Sequence, residues 1–239
     1  MTQVVLDPSE ETRTVQARRK EQILEVWVFL FLIVPSMALS LFAVRRGSLG
    51  FNITASAIIL RDLALVCLIL FFLWRNGEPR SKIGWNFQNL WREVLLGIAL
   101  FVPLFWVVVG VELAFRWAGL SAPSTPMPAF LTASDLPQIV LAFVLVCVVA
   151  VAEETIFRGY LLLRFGATLG TMTMAVVSSS LIFSVGHGYE GTAGLATVGV
   201  MGGVLCLVYL WRGSLVAPMV IHFLQDFVGV VLVAIFRLH

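Results

Sequence analysis

Charge is what this sequence lacks most. Only 13% of its 239 residues are Asp, Glu, Lys or Arg, while 59% are hydrophobic. A soluble domain carries about 25% charged and about 45–50% apolar residues. The mean hydropathy of +0.96 points the same way. Intrinsic disorder is excluded, because it needs low hydrophobicity and dense charge. The net charge is only +2 and no broad basic face occurs, which argues against nucleic acid as a partner. Cysteine is scarce too. Cys67, Cys147 and Cys206 lie inside apolar runs, at spacings that fit neither a disulfide framework nor a zinc pattern, and read as small packing residues. A secretory leader is missing from the first residues: 1–20 hold Asp7, Glu10, Glu11, Arg13, Arg18, Arg19 and Lys20 and no apolar core. Polar/apolar alternation in stretches of about ten residues, the mark of a membrane β-barrel, does not occur. There is no internal repeat and no soluble domain.

What is present is a series of seven apolar runs: 24–44, 53–74, 93–115, 136–165, 170–187, 192–211 and 214–236. A membrane span takes about 20 residues, so 136–165 is long for one. A backbone in lipid must satisfy its own hydrogen bonds, which predicts helices throughout. The expected fold is all-α, a polytopic transmembrane helical bundle of about seven spans, with six to eight as the range. Residues 1–23 read as a cytoplasmic tail and 24–239 as a single transmembrane domain. Two linkers are longer than the rest. The stretch 76–89 is polar and holds Gly77, Pro79 and Gly84; 119–135 holds Pro123, Pro126 and Pro128 and reads as an extended loop. With the N-terminus inside, Arg13, Arg18, Arg19, Lys20, Arg75, Arg80, Lys82, Arg92, Arg164 and Arg212 gather on the cytoplasmic side. Arg45, Arg46, Arg116 and Arg237 fall opposite, so the positive-inside rule favours a cytoplasmic N-terminus.

Charged residues within a span cost at least about 2.5–3.5 kcal/mol at the bilayer centre and need a reason. The fourth run carries Glu153-Glu154-x-x-x-Arg158. Glu154 and Arg158 are one helical turn apart, acid first, as an ion pair prefers. Glu153 is rotated by about 100° on an α-helix and is less well placed to use the arginine. A poorly paired carboxylate in an apolar site suits a general base; the same cluster also reads as ion-pair glue between helices. Phe183 precedes His187 by one turn at the end of the fifth run, and His222 precedes Asp226 by one turn in the seventh. The remaining histidine, His239, carries no signal. Measured from the cytoplasmic ends of the runs, Glu153 lies about 18 Å deep, His187 about 25 Å, His222 about 12 Å and Asp226 about 18 Å. A shared site near mid-membrane is therefore expected. Arg61 and Asp62 read as a structural pair in the outer third of the second run. Glu112 reads as snorkelling to water, and Glu190 as solvent-facing in a glycine-rich turn or lining an entrance.

These three motifs, in this order and each within a membrane helix, resemble those of the CPBP family of intramembrane proteases, which includes the CAAX prenyl proteases and bacterial Abi-type proteins. The resemblance covers 136–236. It implies a helical bundle with a hydrophilic cavity opening toward the cytoplasm, located in a cell membrane, with the bacterial inner membrane as the expected one. It implies peptide-bond hydrolysis of a peptide or protein substrate, membrane-associated or prenylated. Carried over, Glu153 and His187 hold and activate a water, Glu154 and Arg158 support them, and His222 and Asp226 face the developing oxyanion. An ionised Asp226 would repel that oxyanion, so it is either protonated, an orienting partner of His222, or a metal ligand. Glu153, His187 and His222 could hold zinc with an open fourth position, although no His-Glu-x-x-His helix is present; the family is commonly called a metalloprotease family, a metal-free glutamate mechanism also fits, and the balance of ligands favours the metal-free form. Two other readings remain: a catalytically silent CPBP-like scaffold or peptide-immunity protein, and a proton-coupled transporter, which the lack of inverted repeats disfavours.

Overall fold

A computed structural model describes residues 19–37, 50–122 and 132–237. The expected tail up to residue 18, Arg45 and Arg46, Pro123, Pro126 and Pro128, the side chain of Arg237, and His239 lie outside the described residues. Helices form where the apolar runs stand. We label them α1 (19–37), α2 (Phe51–Arg75), α3 (Leu90–Trp117), α4 (Leu136–Thr168), α5 (Met172–Val185), α6 (Gly191–Arg212) and α7 (from Val216 to Arg237). No strand occurs among the described residues. The protein is an all-helical integral membrane protein: α2, α3, α4, α6 and α7 are each long and apolar enough to cross a bilayer. With 14 residues, α5 is about 21 Å long, short of the roughly 30 Å hydrocarbon core.

Local chemistry sets the helix ends. Asp135 caps α4 by accepting from the Gln138 N–H at 2.8 Å, with Pro137 in the first turn. Thr171 caps α5 in the same way at Met174. Two helices contain π-helical turns, Glu154–Leu161 within α4 and Phe227–Leu232 within α7. Such turns concentrate at functional positions.

Three pairings organise the bundle: α2 lies on α4, α3 along α7, and α5 on α6. One core joins Phe29 and Ile33 of α1, Ile69 and Leu73 of α2, and Ile156, Phe157 and Tyr160 of the π-turn of α4. A second, toward the other end, joins Ala55 of α2, Ala142 and Leu145 of α4, and Val231 of α7. The outward faces remain apolar and large, as lipid requires, and Trp74, Trp91 and Trp211 stand exposed at one end with Trp117 at the other.

The end that holds Trp74, Trp91 and Trp211 is also the basic end. There Arg75 Nη2 binds Glu25 of α1 at 2.7 Å, Arg164 Nη2 bridges Glu78 at 2.5 Å and Glu25 at 3.2 Å, and Arg212 Nη2 binds Glu93 at 2.7 Å. Burial pushes the Glu78 carboxyl up, but hydrogen bonds and charge from Arg164, then Lys82, outweigh it and hold Glu78 below its ordinary value. The linker 76–89 folds back into this end. Gly84, at φ +80°, permits the turn, and its carbonyl accepts from the Leu215 N–H at 3.0 Å. At the opposite end, the Ala193 N–H donates to Ser121 O at 3.0 Å, joining the start of α6 to the chain beyond α3.

Candidate active site

The π-turn of α4 is the base of the site. More residues per turn than in an α-helix mean less than about 100° between neighbours. Glu153 and Glu154 stand at the entrance to this turn, and both approach His222 of α7, Glu154 at 2.8 Å and Glu153 at 3.7 Å. Every residue of Glu154–Leu161 is buried. Gly159 lets the linker approach: a Cβ there would stand 2.8 Å from the carbonyl oxygen of Ile83.

Glu154 is the fixed carboxylate. Its Oε1 accepts from Arg158 Nη1 at 2.8 Å and from His222 Nδ1 at 2.8 Å, and all three groups are buried. The expected Glu154–Arg158 pair is thus present, with the histidine as a second donor. The guanidinium of Arg158 lies over the Phe183 ring, 4.1 Å from its centroid, a desolvated cation–π contact. Phe183 also meets the His187 ring at 4.9 Å and the His222 ring edge-on at 6.1 Å. It therefore fixes three of the polar groups relative to one another.

Glu153 is the less engaged carboxylate. Its Oε2 stands 3.7 Å from His222 Nε2, outside hydrogen-bond range, and is buried without a partner. Its side chain keeps 15% exposure, against none for Glu154. Asp226 Oδ2 approaches the same Nε2 at 3.5 Å and is 31% exposed. His222 thus stands between Glu154 on its Nδ1 side and Glu153 and Asp226 on its Nε2 side. His187 Nδ1 lies 3.2 Å from the Phe183 carbonyl oxygen. A carbonyl only accepts, so Nδ1 donates and, in the neutral ring, Nε2 keeps its lone pair. His187 joins the other groups through Phe183 rather than by a bond to Glu153 or His222.

Three residues outside the motifs belong to this neighbourhood. Tyr189 places its ring 6.1 Å from that of His187. Glu190 is half-buried, within electrostatic reach of His187 and Asp226, rather than solvent-facing. Asp62 of α2 is buried, paired with Arg61, and within electrostatic reach of Glu153 and His222. Its sequence signal was the cost of an acid in an apolar run; what could not be read was the side of α2 that carries it. From the basic end, Trp85 Nε1 donates to Thr155 Oγ1 at 3.1 Å, next to Glu154. Glu112 pairs with Arg116 at the end of α3, within electrostatic reach of Glu190.

The donor set does not suit a metal. Among the described residues no three His, Cys, Asp or Glu side chains are grouped to hold an ion. The cysteines are free, and Cys67 is exposed on the lipid side of α2.

Residues 135–228 match a family model described as Rce1-like, Type II CAAX prenyl endopeptidase Rce1-like. No curated protein and no solved structure matches the chain significantly. The matched stretch runs from the cap of α4 into α7 and contains Glu153, Glu154, Arg158, His187, His222 and Asp226.

Proposed function

We propose, from the match of residues 135–228 to an Rce1-like family model and their place in a bundle of helices long and apolar enough to cross a membrane, that the protein is an intramembrane endopeptidase of the CPBP/Abi type in which Glu153 activates a water. The observation that carries this reading is the unequal treatment of the two glutamates. Glu154 holds two donors and is sealed, whereas Glu153 reaches the same histidine with a free oxygen and partial exposure. A general base needs such freedom, and a purely structural pair does not.

In this mechanism, water sits between Glu153 and the Nε2 of His187. Glu153 takes one proton, and the water oxygen adds to the peptide carbonyl carbon while the C=O π electrons move to oxygen. His222, as imidazolium, donates from Nδ1 to Glu154 and from Nε2 to that oxyanion. Collapse of the adduct breaks the C–N bond, and the proton on Glu153 passes to the leaving nitrogen. Glu154 and Arg158 hold the ring of His222. Asp226 acts as the orienting partner on the Nε2 side, so its negative charge supports the imidazolium rather than facing the oxyanion alone. No step passes through a metal, because the donors do not group around one.

The substrate is a peptide or protein held at the membrane; whether it is prenylated is decided by experiment. The basic end, with Arg75, Arg80, Lys82, Arg92, Arg164 and Arg212, is assigned to the cytoplasm. The N-terminus is placed on the same side, in the cell membrane. A phosphatase reporter fused into 76–89 should stay inactive, as a cytoplasmic loop requires. The activity is tested by comparing membrane-derived peptides from the host carrying wild type or Glu153→Ala, followed by cleavage of the recovered substrate in nanodiscs. Loss of one cleavage event in the variant is expected; identical peptides from the two hosts, or undiminished cleavage of a recovered substrate by the purified variant, would overturn the reading.

A further inference from the structure

Asp62 stands on α2, outside the matched stretch 135–228. It is eleven residues into the helix from Phe51, about 17 Å along it, and so near mid-membrane rather than at a surface. Its side chain is 1% exposed. The way Arg61 binds it is one-sided: Nε at 2.9 Å and Nη2 at 2.8 Å both reach Oδ1. An arginine that served only to neutralise an aspartate would engage both oxygens as a fork. Oδ2 is instead left buried and without a partner.

The same is true of Glu153 Oε2 across the interface. The helices that carry the two acids, α2 and α4, pack along each other, and Asp62 has Glu153 and His222 as its charged neighbours on α4 and α7. Two buried carboxylates within electrostatic reach of one another, each with an unpartnered oxygen, repel if left bare. A water between them removes the difficulty, because its two O–H groups match two acceptor oxygens, and buried polar atoms are satisfied in this way.

We propose that Asp62, oriented by Arg61, is a positioning residue for Glu153: its Oδ2 and Glu153 Oε2 share one buried water, which fixes the glutamate and leaves Oε1 toward the reacting water. Arg61 holds the aspartate through the other oxygen, so that Oδ2 has no protein partner to turn to. The catalytic role of Glu153 is taken from the hydrolase reading above; the shared water is not.

The test combines an experimental structure of the full chain in lipid, at a resolution that shows waters, with kinetics on the substrate recovered from the host. In wild type, one water should lie within about 3.2 Å of both oxygens. In Asp62→Leu that water should be lost and the Glu153 carboxyl should turn. A wild-type site with no such water, or with either oxygen bound to a protein group, overturns the inference whether or not a substrate is in hand. In the kinetic arm, Asp62→Leu should lower kcat by about 10²-fold, the effect of displacing a reacting group by about 1 Å, and leave KM unchanged. Asp62→Glu should restore most of kcat. If Asp62→Leu does not fold, the double variant Arg61→Met/Asp62→Leu, which also removes the stranded cation, serves in both arms. A wild-type kcat in the folded variant also overturns the inference. Full cleavage by Glu153→Ala would instead remove the hydrolase reading and leave the water observation standing.

Discussion

Removing the guanidinium of Arg158 separates what holds this site together from what would do its chemistry. Arg158→Met keeps the stem and deletes the charge. Glu154 then loses a donor at 2.8 Å and Phe183 loses a cation 4.1 Å from its ring centre. Breaking a buried pair costs about 3–5 kcal/mol, and a desolvated cation–π contact is worth about 2 kcal/mol. The two do not add, since one charge makes both contacts. His222 Nδ1 still donates to Glu154 Oε1 at 2.8 Å, so the carboxylate is not stranded. The net cost therefore falls near the lower bound, about 3 kcal/mol, or more than a hundredfold in the folding equilibrium at about 1.4 kcal/mol per factor of ten. Glu153→Ala removes a side chain with no direct hydrogen bond and should change stability by less than about 1 kcal/mol. The assay is reversible unfolding of the purified chain in mixed detergent micelles, with the double variant Glu154→Gln/Arg158→Met closing a cycle. Replacing the whole pair should recover part of the loss and give a coupling of about 0.5–3 kcal/mol. Equal midpoints for Arg158→Met and Glu153→Ala would refute the argument that the arginine is structural and the first glutamate is not.

Other outcomes follow from the same geometry. Glu153→Gln should retain the wild-type unfolding midpoint yet abolish substrate cleavage in nanodiscs, and a cleaving variant would exclude Glu153 as the base. Chelation should leave cleavage unchanged, because no three ligands group around an ion among the described residues; stoichiometric zinc whose removal stops cleavage, with readdition restoring it, would contradict this. The Glu78–Arg164 clamp should be acid-labile. Glu78 sits below its ordinary value of 4.5 in the fold, so its contribution is complete above that value and is lost as pH falls through the lower folded one. The midpoint difference between wild type and Glu78→Gln should shrink to nothing in acid, and a difference constant with pH would sink the assignment. Gly159→Ala should cost about 1–3 kcal/mol as an overpacking change, since its Cβ would meet backbone at Ile83; differential scanning of the detergent-solubilised protein reads it directly.

The helices were legible because lipid imposes one rule on every run: apolar outside, hydrogen bonds within. The seven described helices stand on the seven apolar runs, even α5, whose short length was hidden because the apolar run continues through Gly186 into the turn. The Glu154–Arg158 pair and the His222–Asp226 approach were legible from one-turn spacing, since residues four apart meet on any helix. The two features that most alter the site were not. The 100° between neighbours on a helix separates Glu153 from Glu154, yet one ring on α7 meets both, His222 having Glu154 at 2.8 Å on Nδ1 and Glu153 at 3.7 Å on Nε2; the π-turn beside them likewise has no signature residue. Asp62 failed for a different reason. Adjacent Arg61 and Asp62 read as a self-contained pair, and nothing in their order shows that the guanidinium takes one oxygen and leaves the other buried without a partner, within electrostatic reach of α4 and α7. Spacing along one helix fixes which residues share a face; it does not fix which neighbouring helix that face meets. A mid-membrane acid with a sequence neighbour as its cation is therefore only half explained by that neighbour, and its free oxygen has to be followed into the packing between helices.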